Sequence, residues 1–298
     1  MNAPLTALRD LPAPAKLNLF LQVTGRRPDG YHLLETVFQL VDLCDRVHLK
    51  RRDDGQILRV GALPGVPVEE DLVVRAARRL QAASGCGLGV EIGLDKHIPM
   101  GGGLGGGSSD AATVLMGLNR LWALDWPADR LAALGLALGA DVPFFLFGRT
   151  AYATGVGEEL VPITLPSSWF VIVAPPVHVP TASVFAAPDL TRNSEPLTLF
   201  GLSRSDRVWQ GRNDLQAVVL KQYPQVSATL AVLQDAVADA GLDPALARMS
   251  GSGACVFCPA PTEALAGQLA EAVRVREVGR VYACRGLDQH PLGSRQVG

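Results

Sequence analysis

The chain has 298 residues, 48% of them apolar, and a formal net charge of -2. That length favours about two domains with sizeable cores, and the near-neutral balance leaves no basic stripe of the kind that nucleic-acid binding requires. No apolar run reaches the roughly 18 residues of a membrane helix, and the opening MNAPLTALRDLPAPAK lacks the basic head of a signal peptide. A soluble cytoplasmic protein that engages neither membrane nor nucleic acid is expected, and any anionic ligand must be held by a local site.

In chain order, AKLNLFLQV (15–23) alternates and predicts a strand. The stretch 37–61 predicts strands with a turn near Asp54-Gly55. EEDLVVRAARRLQAASG predicts a helix, acidic at its start, basic along it and stopped by Gly85. GLGVEIGLDKHIP is a strand that leads into PMGGGLGGGSSDAA (99–112), and a long helix over about 109–124 follows. PADRLAALGLALGAD predicts a further helix, TAYATGVGEELVPI a hairpin and SWFVIVAPP a strand that opens the second half. Helices are expected around 213–240 and 262–278. Strands and helices mix without regular βαβ alternation, which points to an α+β fold.

The five cysteines, Cys44, Cys86, Cys255, Cys258 and Cys284, are scattered and odd in number, as suits a reducing compartment. Cys255 and Cys258 form a C-x-x-C, but within a strand positions three apart face opposite sides, so small buried core residues are the better reading.

Six glycines surround Leu104 before the long helix. Glycine loses more entropy on folding than any other residue, so such a run is costly unless the backbone must approach something closely. A loop that enters a helix N-terminus offers free N–H groups and a positive dipole end, which suits an anion. Ser108 or Ser109 can cap that helix, and a plain capped turn is the bland alternative. A Walker A loop needs Gly-Lys-Ser/Thr, whereas Gly107-Ser108-Ser109 has no lysine. Gly101, Gly103 and Gly106 satisfy G-x-G-x-x-G, but LDKHIPM ahead of them is not an apolar strand, and Asp125 lies between two helices.

PMGGGLGGGSSDAA closely resembles the phosphate loop of the GHMP kinase superfamily, named for galactose, homoserine, mevalonate and phosphomevalonate kinases. PAKLNLFLQVTGRRPDGYHLLETVFQLVDL (14–43), LGADVPFFL (138–146), VPTASVF (179–185) and RMSGSGACVF (248–257) resemble one branch of it, the family that phosphorylates 4-diphosphocytidyl-2-C-methyl-D-erythritol. The resemblance spans nearly the whole chain, and the GRRPDGYH stretch is more specific than the glycine loop. It implies a two-domain α+β fold. The N-terminal domain, taken here as residues 1–160, would be like ribosomal protein S5 domain 2, and residues 161–298 would be ferredoxin-like. It implies ATP and Mg²⁺ as well, with a small-molecule cytidine diphosphate substrate in the cleft between the domains.

The same resemblance assigns residues. Pro99, Met100, Gly101, Gly102, Gly103, Leu104, Gly105, Gly106, Gly107, Ser108 and Ser109 would wrap ATP, with Lys96 near the adenosine. Lys16 and Asn18 share one strand face; alone they could be a solvated pair, but the resemblance places the lysine beside a catalytic aspartate and the asparagine toward the substrate. Asp141, before a proline at 143, reads locally as a helix cap and by resemblance as the general base. Tyr31 and Phe185 would stack on the cytosine, His32 would bond its edge, and Thr181 would lie nearby. Ser108 or Ser109 is a candidate Mg²⁺ ligand. MSGSGACVF would buttress the phosphate loop. One departure is Asp71, where the family often has asparagine near the adenine; an aspartate cannot donate as an amide does. A homoserine- or mevalonate-type kinase would have no use for Tyr31, His32 and Phe185. A regulator without catalysis would not need both Lys16 and Asp141.

Overall fold

Two long antiparallel strands, β1 (Ala7–Arg26) and β2 (His32–Arg52), form the spine of the molecule. The computed structural model describes residues 5–197 and 211–293. β1 pairs only with β2 among the strands, so its prolines Pro12 and Pro14 remove no bond that a second neighbour would need. Register shifts after Leu8, Pro14, Asn18 and Val23 bend β1 around the core. Both strands are buried over most of their central lengths.

β3 (Ile57–Arg59) follows the expected turn at Asp54-Gly55, yet it pairs in parallel with β4 (Gly89–Asp95) and not back onto β2. The crossover between them is α1 (Leu72–Ser84), capped by Asp71 and ended by Gly85 in the left-handed conformation. α2 (Gly106–Leu121), α3 (Ala128–Leu136) and α4 (Val142–Phe147) pack with α1 over β1, β2 and β4. The hairpin β5 (Ala151–Thr154) with β6 (Glu159–Pro162) extends β2.

The second half contributes β7 (Trp169–Ala174), β8 (Arg248–Met249), β9 (Val256–Ala260) and β10 (Arg280–Leu287). β10 pairs with both β7 and β2, so the sheet runs on from one half to the other in the order β3-β4-β2-β10-β7-β9-β8. Helices α5 (Thr181–Ala186), α6 (Gln216–Gln222), α7 (Pro224–Asp239) and α8 (Glu263–Arg274) accompany this half. Its apolar core holds Val171, Leu233 and Leu269. A third cluster, with Leu17, Leu19, Phe170 and Phe257, joins the two halves. Cys255 belongs to that shared cluster and Cys258 to the second-half core, so the C-x-x-C cysteines do sit on opposite faces, both reduced and buried. Burial pushes both thiols up to about 12, which leaves them unreactive.

No helix among the described residues is long and apolar enough to cross a membrane.

Candidate active site

The phosphate loop ends differently from the serine cap expected of it. α2 starts at Gly106, and its cap is Gly105 in the left-handed conformation (φ 71°) with no side-chain hydrogen bond. A Cβ there would lie 2.9 Å from the Phe145 ring and 3.1 Å from Lys16 Cγ, so glycine meets both the backbone angle and the space. Gly106, Gly107 and Ser108 then occupy the first turn, where backbone N–H groups have no intrahelical acceptor, and all three line the cleft. Ser109 does not: its side chain is fully buried, its Oγ is unpartnered, and its N–H already bonds Gly105 O at 2.9 Å. Neither serine caps the helix, and of the two only Ser108 lines the cleft.

Three hydrogen bonds fix the loop to its surroundings. Lys16 N donates to Leu104 O at 2.9 Å, Cys255 N to Gly102 O at 3.1 Å, and Ser250 Oγ to Gly103 O at 3.4 Å. The last two come from the two ends of the second glycine turn, SGSGAC (250–255), which therefore buttresses the first. Thr181 Oγ1 reaches the same turn through Ser252 Oγ at 2.8 Å.

Beside the loop, Lys16 and Asn18 are buried and joined, with Lys16 Nζ donating to Asn18 Oδ1 at 2.5 Å. Asn18 Nδ2 donates to Thr36 Oγ1 at 2.9 Å, which fixes the amide so that its oxygen faces the lysine. On the other side Lys16 Nζ stands 3.5 Å from Asp141 Oδ2, whose side chain is 34% exposed. Asp141 holds the cap position of α4, but its carboxylate makes no capping bond. The apolar VPFFLF helix anchors the position in the core, while the carboxylate points at a cation and the open cleft. The geometry leaves the Asp141 carboxylate beside one ammonium and accessible from the cleft.

Lys96 lines the cleft from the loop before Pro99, but its ammonium is committed elsewhere. It bonds Asp45 Oδ2 and, at 2.7 Å, Asp110 Oδ2. Asp45 also accepts from the His97 and Ile98 N–H groups at 2.6 and 2.8 Å. The cluster ties β2, the approach to the glycine loop and the N-terminal half of α2 to one another. Burial lowers the Lys96 value, but the two carboxylates together outweigh it and hold the group charged. Burial pushes the Asp110 carboxyl up to about 8, against the pull of Lys96 and with the repulsion of Asp45. Asp110 Oδ1 has no partner.

Asp71 settles the departure noted in the sequence. Its carboxylate accepts from Val73 N at 3.1 Å and pairs with Arg59 at 2.8 Å, and both side chains are nearly buried. It is a helix cap with a counter-ion, and the wall around it is apolar, with Leu63, Val66 and Leu72 on the cleft.

At the other end, Tyr31 is 63% exposed on the turn between β1 and β2. The His32 ring lies 5.1 Å from the Phe185 ring, tilted by 32°. Arg192, with no motif to announce it, donates from Nε to His32 Nε2 at 3.1 Å. One cleft of about 940 Å³ takes in every residue the sequence assigned to ATP or substrate except Ser109.

Residues 71–149 match the GHMP kinases N terminal domain and residues 183–277 the GHMP kinases C terminal domain. The chain is 55% identical to 4-diphosphocytidyl-2-C-methyl-D-erythritol kinase of Ralstonia nicotianae over 98% of both chains. The enzyme of that name from Thiobacillus denitrificans is 56% identical, over 94% of this chain and 96% of its own. The chain belongs to the 4-diphosphocytidyl-2-C-methyl-D-erythritol kinase family of GHMP kinases. A crystal structure of 4-(cytidine 5'-diphospho)-2C-methyl-D-erythritol kinase superposes with a TM-score of 0.78 at 37% identity, covering 93% of this chain and 98% of that one. A homoserine kinase from Cytophaga hutchinsonii superposes at 0.70 with 18% identity, covering 97% of each chain, which marks the fold alone. Within the family matches, the phosphate loop and Asp141 fall in the N-terminal segment and Phe185 in the C-terminal one. Lys16, Asn18, Tyr31 and His32 precede both.

Proposed function

We propose that the protein transfers the γ-phosphoryl group of ATP to the 2-hydroxyl of 4-diphosphocytidyl-2-C-methyl-D-erythritol, giving the 2-phosphate and ADP in the non-mevalonate route to isoprenoid precursors. The observation that carries this reading is a convergence in one cleft. The free N–H groups of α2, the Lys16–Asp141 pair at 3.5 Å and the His32–Phe185 base end all open onto the same space.

Phosphoryl transfer depends on alignment and on neutralising charge around the transferred group. The α2 N-terminus and the loop N–H groups receive the phosphates. Lys16, held by Asn18 and Asp141, supplies positive charge where the transferred group crosses. Asp141 orients the 2-hydroxyl and accepts its proton as the oxygen attacks phosphorus, and ADP leaves with the former bridging oxygen. Mg²⁺ enters as part of the nucleotide substrate; it keeps several waters, needs few protein ligands and offsets phosphate charge. The apolar wall of Leu63, Val66 and Leu72 receives the adenine. Tyr31 and Phe185 sandwich the cytosine, with Thr181 at the edge of that pocket. In this reading residues 1–160 carry ATP and the chemistry, and residues 161–298 supply Phe185, Thr181 and the buttressing turn.

Incubation with ATP and 4-diphosphocytidyl-2-C-methyl-D-erythritol, homoserine or mevalonate tests this, with ADP release as the readout. Turnover with the cytidyl substrate alone is expected. ADP released with homoserine or mevalonate and not with the cytidyl alcohol would overturn it.

A further inference from the structure

Arg192 reaches the base end of the cleft from the segment after α5. Its Nε donates to His32 Nε2 at 3.1 Å. One terminal nitrogen donates to the carbonyls of Phe185 and Ala187 at 3.1 and 2.7 Å, and the other to Leu190 O at 3.1 Å. A guanidinium has donors and no acceptor. His32 Nε2 must therefore carry a lone pair, and the imidazole proton sits on Nδ1. That nitrogen has no hydrogen-bond partner among the described residues, and His32 lines the cleft. Protonating the ring would set one N–H against another.

The charged neighbours favour the same state. Burial first, then Arg192, then Arg26 hold the His32 value below the ordinary imidazole one. Arg26 is itself anchored by Gly30 O at 3.1 Å. Asp29, the acid on this turn that could oppose them, is paired with Arg27 at 2.7 Å. Phe185 limits the ring from the other side.

We propose that Arg192 is a specificity-determining positioning residue: it fixes His32 as the neutral Nδ1–H form, so the cleft presents one N–H donor to the edge of a base. The proposal rests on the cytidyl-substrate reading for its ligand and on the guanidinium–imidazole geometry for its mechanism. A fixed donor selects a base edge with a lone pair at that point. Cytosine offers N3, whereas uracil carries N–H there and meets donor with donor. A free histidine would lack this selectivity, because it can exchange tautomers to suit either.

The competing account is that Arg192 only ties down the end of α5 through three carbonyls. Nitrogen-15 NMR of histidine-labelled protein separates the two without any substrate. The His32 signals are identified by their loss in His32→Ala. The parent should show Nδ1 protonated and Nε2 bare, and it should stay so below pH 6.5. Arg192→Met should give mixed tautomers and a pKa near the ordinary value of about 6.5. Arg192→Lys, which retains a donor and the charge, should restore part of the parent pattern and guards against misfolding of the methionine variant. In steady state Arg192→Met should raise KM for the cytidyl substrate about tenfold, the loss of one well-made hydrogen bond, with kcat and KM for ATP unchanged. In a His32→Ala background the same change should move that KM less than about twofold, because residues that act through one another are not additive. An Nε2–H parent, or KM effects that add, overturns the proposal. A parent with the Nδ1–H form that does not turn over the cytidyl substrate overturns the functional reading and leaves the Arg192 assignment standing.

Discussion

The two ends of the cleft are held by different kinds of contact. At the end proposed for the phosphates the backbone itself lines the cleft: Gly102 O, Gly103 O and Leu104 O are tied to Cys255, Ser250 and Lys16. At the base end the surface is side chains on a turn and a short helix, with Tyr31 exposed and His32 braced by Arg192 and Phe185. A backbone surface reads charge and shape that every triphosphate shares. A side-chain surface can read the edge of one base. The first should fail abruptly under substitution, and the second gradually and in one kinetic constant.

Asp141 stands where the two ends meet, and its loss should have the largest effect. Asp141→Asn keeps the size but cannot accept a proton. Removal of a general base typically lowers the rate about 10²–10⁴-fold, roughly 3–5 kcal/mol of barrier. Because the carboxylate makes no capping bond, the start of α4 should hold, and any loss of stability should come from Lys16, which gives up this counter-ion. Single-turnover rates across pH, with binding measured separately, decide the point; a variant within a few-fold of the parent would remove Asp141 as the base.

Next in size is the backbone surface. A Cβ at Gly103 would collide with the Ser250 carbonyl oxygen, and the residue sits at φ 75°, where side chains are strained. Gly103→Val should therefore push the loop away from its buttress and weaken ATP binding about a hundredfold, equivalent to an overpacking cost of about 3 kcal/mol. Calorimetric titration with ATP measures it. Affinity for the cytidyl substrate should hold, and if it falls equally the two ends are one unit and the comparison fails.

At the side-chain end the expected effect is smaller. His32→Ala should raise KM for the cytidyl substrate about tenfold and leave that for ATP alone, as loss of one hydrogen bond and part of a ring contact. A rise confined to the ATP constant would mean the ligands lie at the opposite ends.

What was legible in the sequence divides along the same line. Glycine spacing announced a loop whose backbone lines the cleft, because few other reasons justify six glycines together, and strand alternation placed Lys16 beside Asn18. Gly85 ended α1, as its place after the helical run announced. The serine cap failed because Gly105 turns the chain into α2 earlier than a side-chain cap would. The turn at Asp54-Gly55 was visible, but not that β3 would pass over and pair in parallel with β4. Asp71 looked like a defective adenine contact and is a cap paired to Arg59, a partner twelve residues away that carries no signal. Arg192 and the Lys96–Asp45–Asp110 cluster were invisible for the same reason. They are ordinary charged residues that the fold brings together from 160, 51 and 14 positions apart.

That cluster yields the smallest effect, and it sharpens the phosphate end. Two carboxylates share the Lys96 ammonium in a buried place, and burial pushes Asp110 up to about 8. An unfolded aspartate titrates near 3.9, so the folded chain holds a proton that the unfolded chain has released. The stabilisation from that proton is complete below the unfolded value and declines as pH rises, until it is lost above about 8. Other groups move in that window too: burial raises Cys44 to about 11 and Cys284 to about 12, above the roughly 8.5 of an unfolded thiol, so they add a loss at the alkaline end, and the Asp110 share is read as the difference between parent and variant. The parent's melting temperature should therefore fall between pH 6 and pH 9. Asp110→Asn keeps an acceptor for Lys96 and cannot ionise, so its melting temperature should fall less over that range and match or exceed the parent's at pH 9. The same titration bears on the nucleotide. Asp110 lies on α2 just past its first turn and lines the cleft, so a carboxylate formed there would oppose the helix dipole proposed to receive the phosphates. ATP affinity should weaken with rising pH in the parent and hold steady in the asparagine variant. A parent whose stability and ATP affinity change from pH 6 to pH 9 no more than the asparagine variant's would show that Lys96 keeps both carboxylates ionised. The phosphate end would then read charge against a standing negative neighbour.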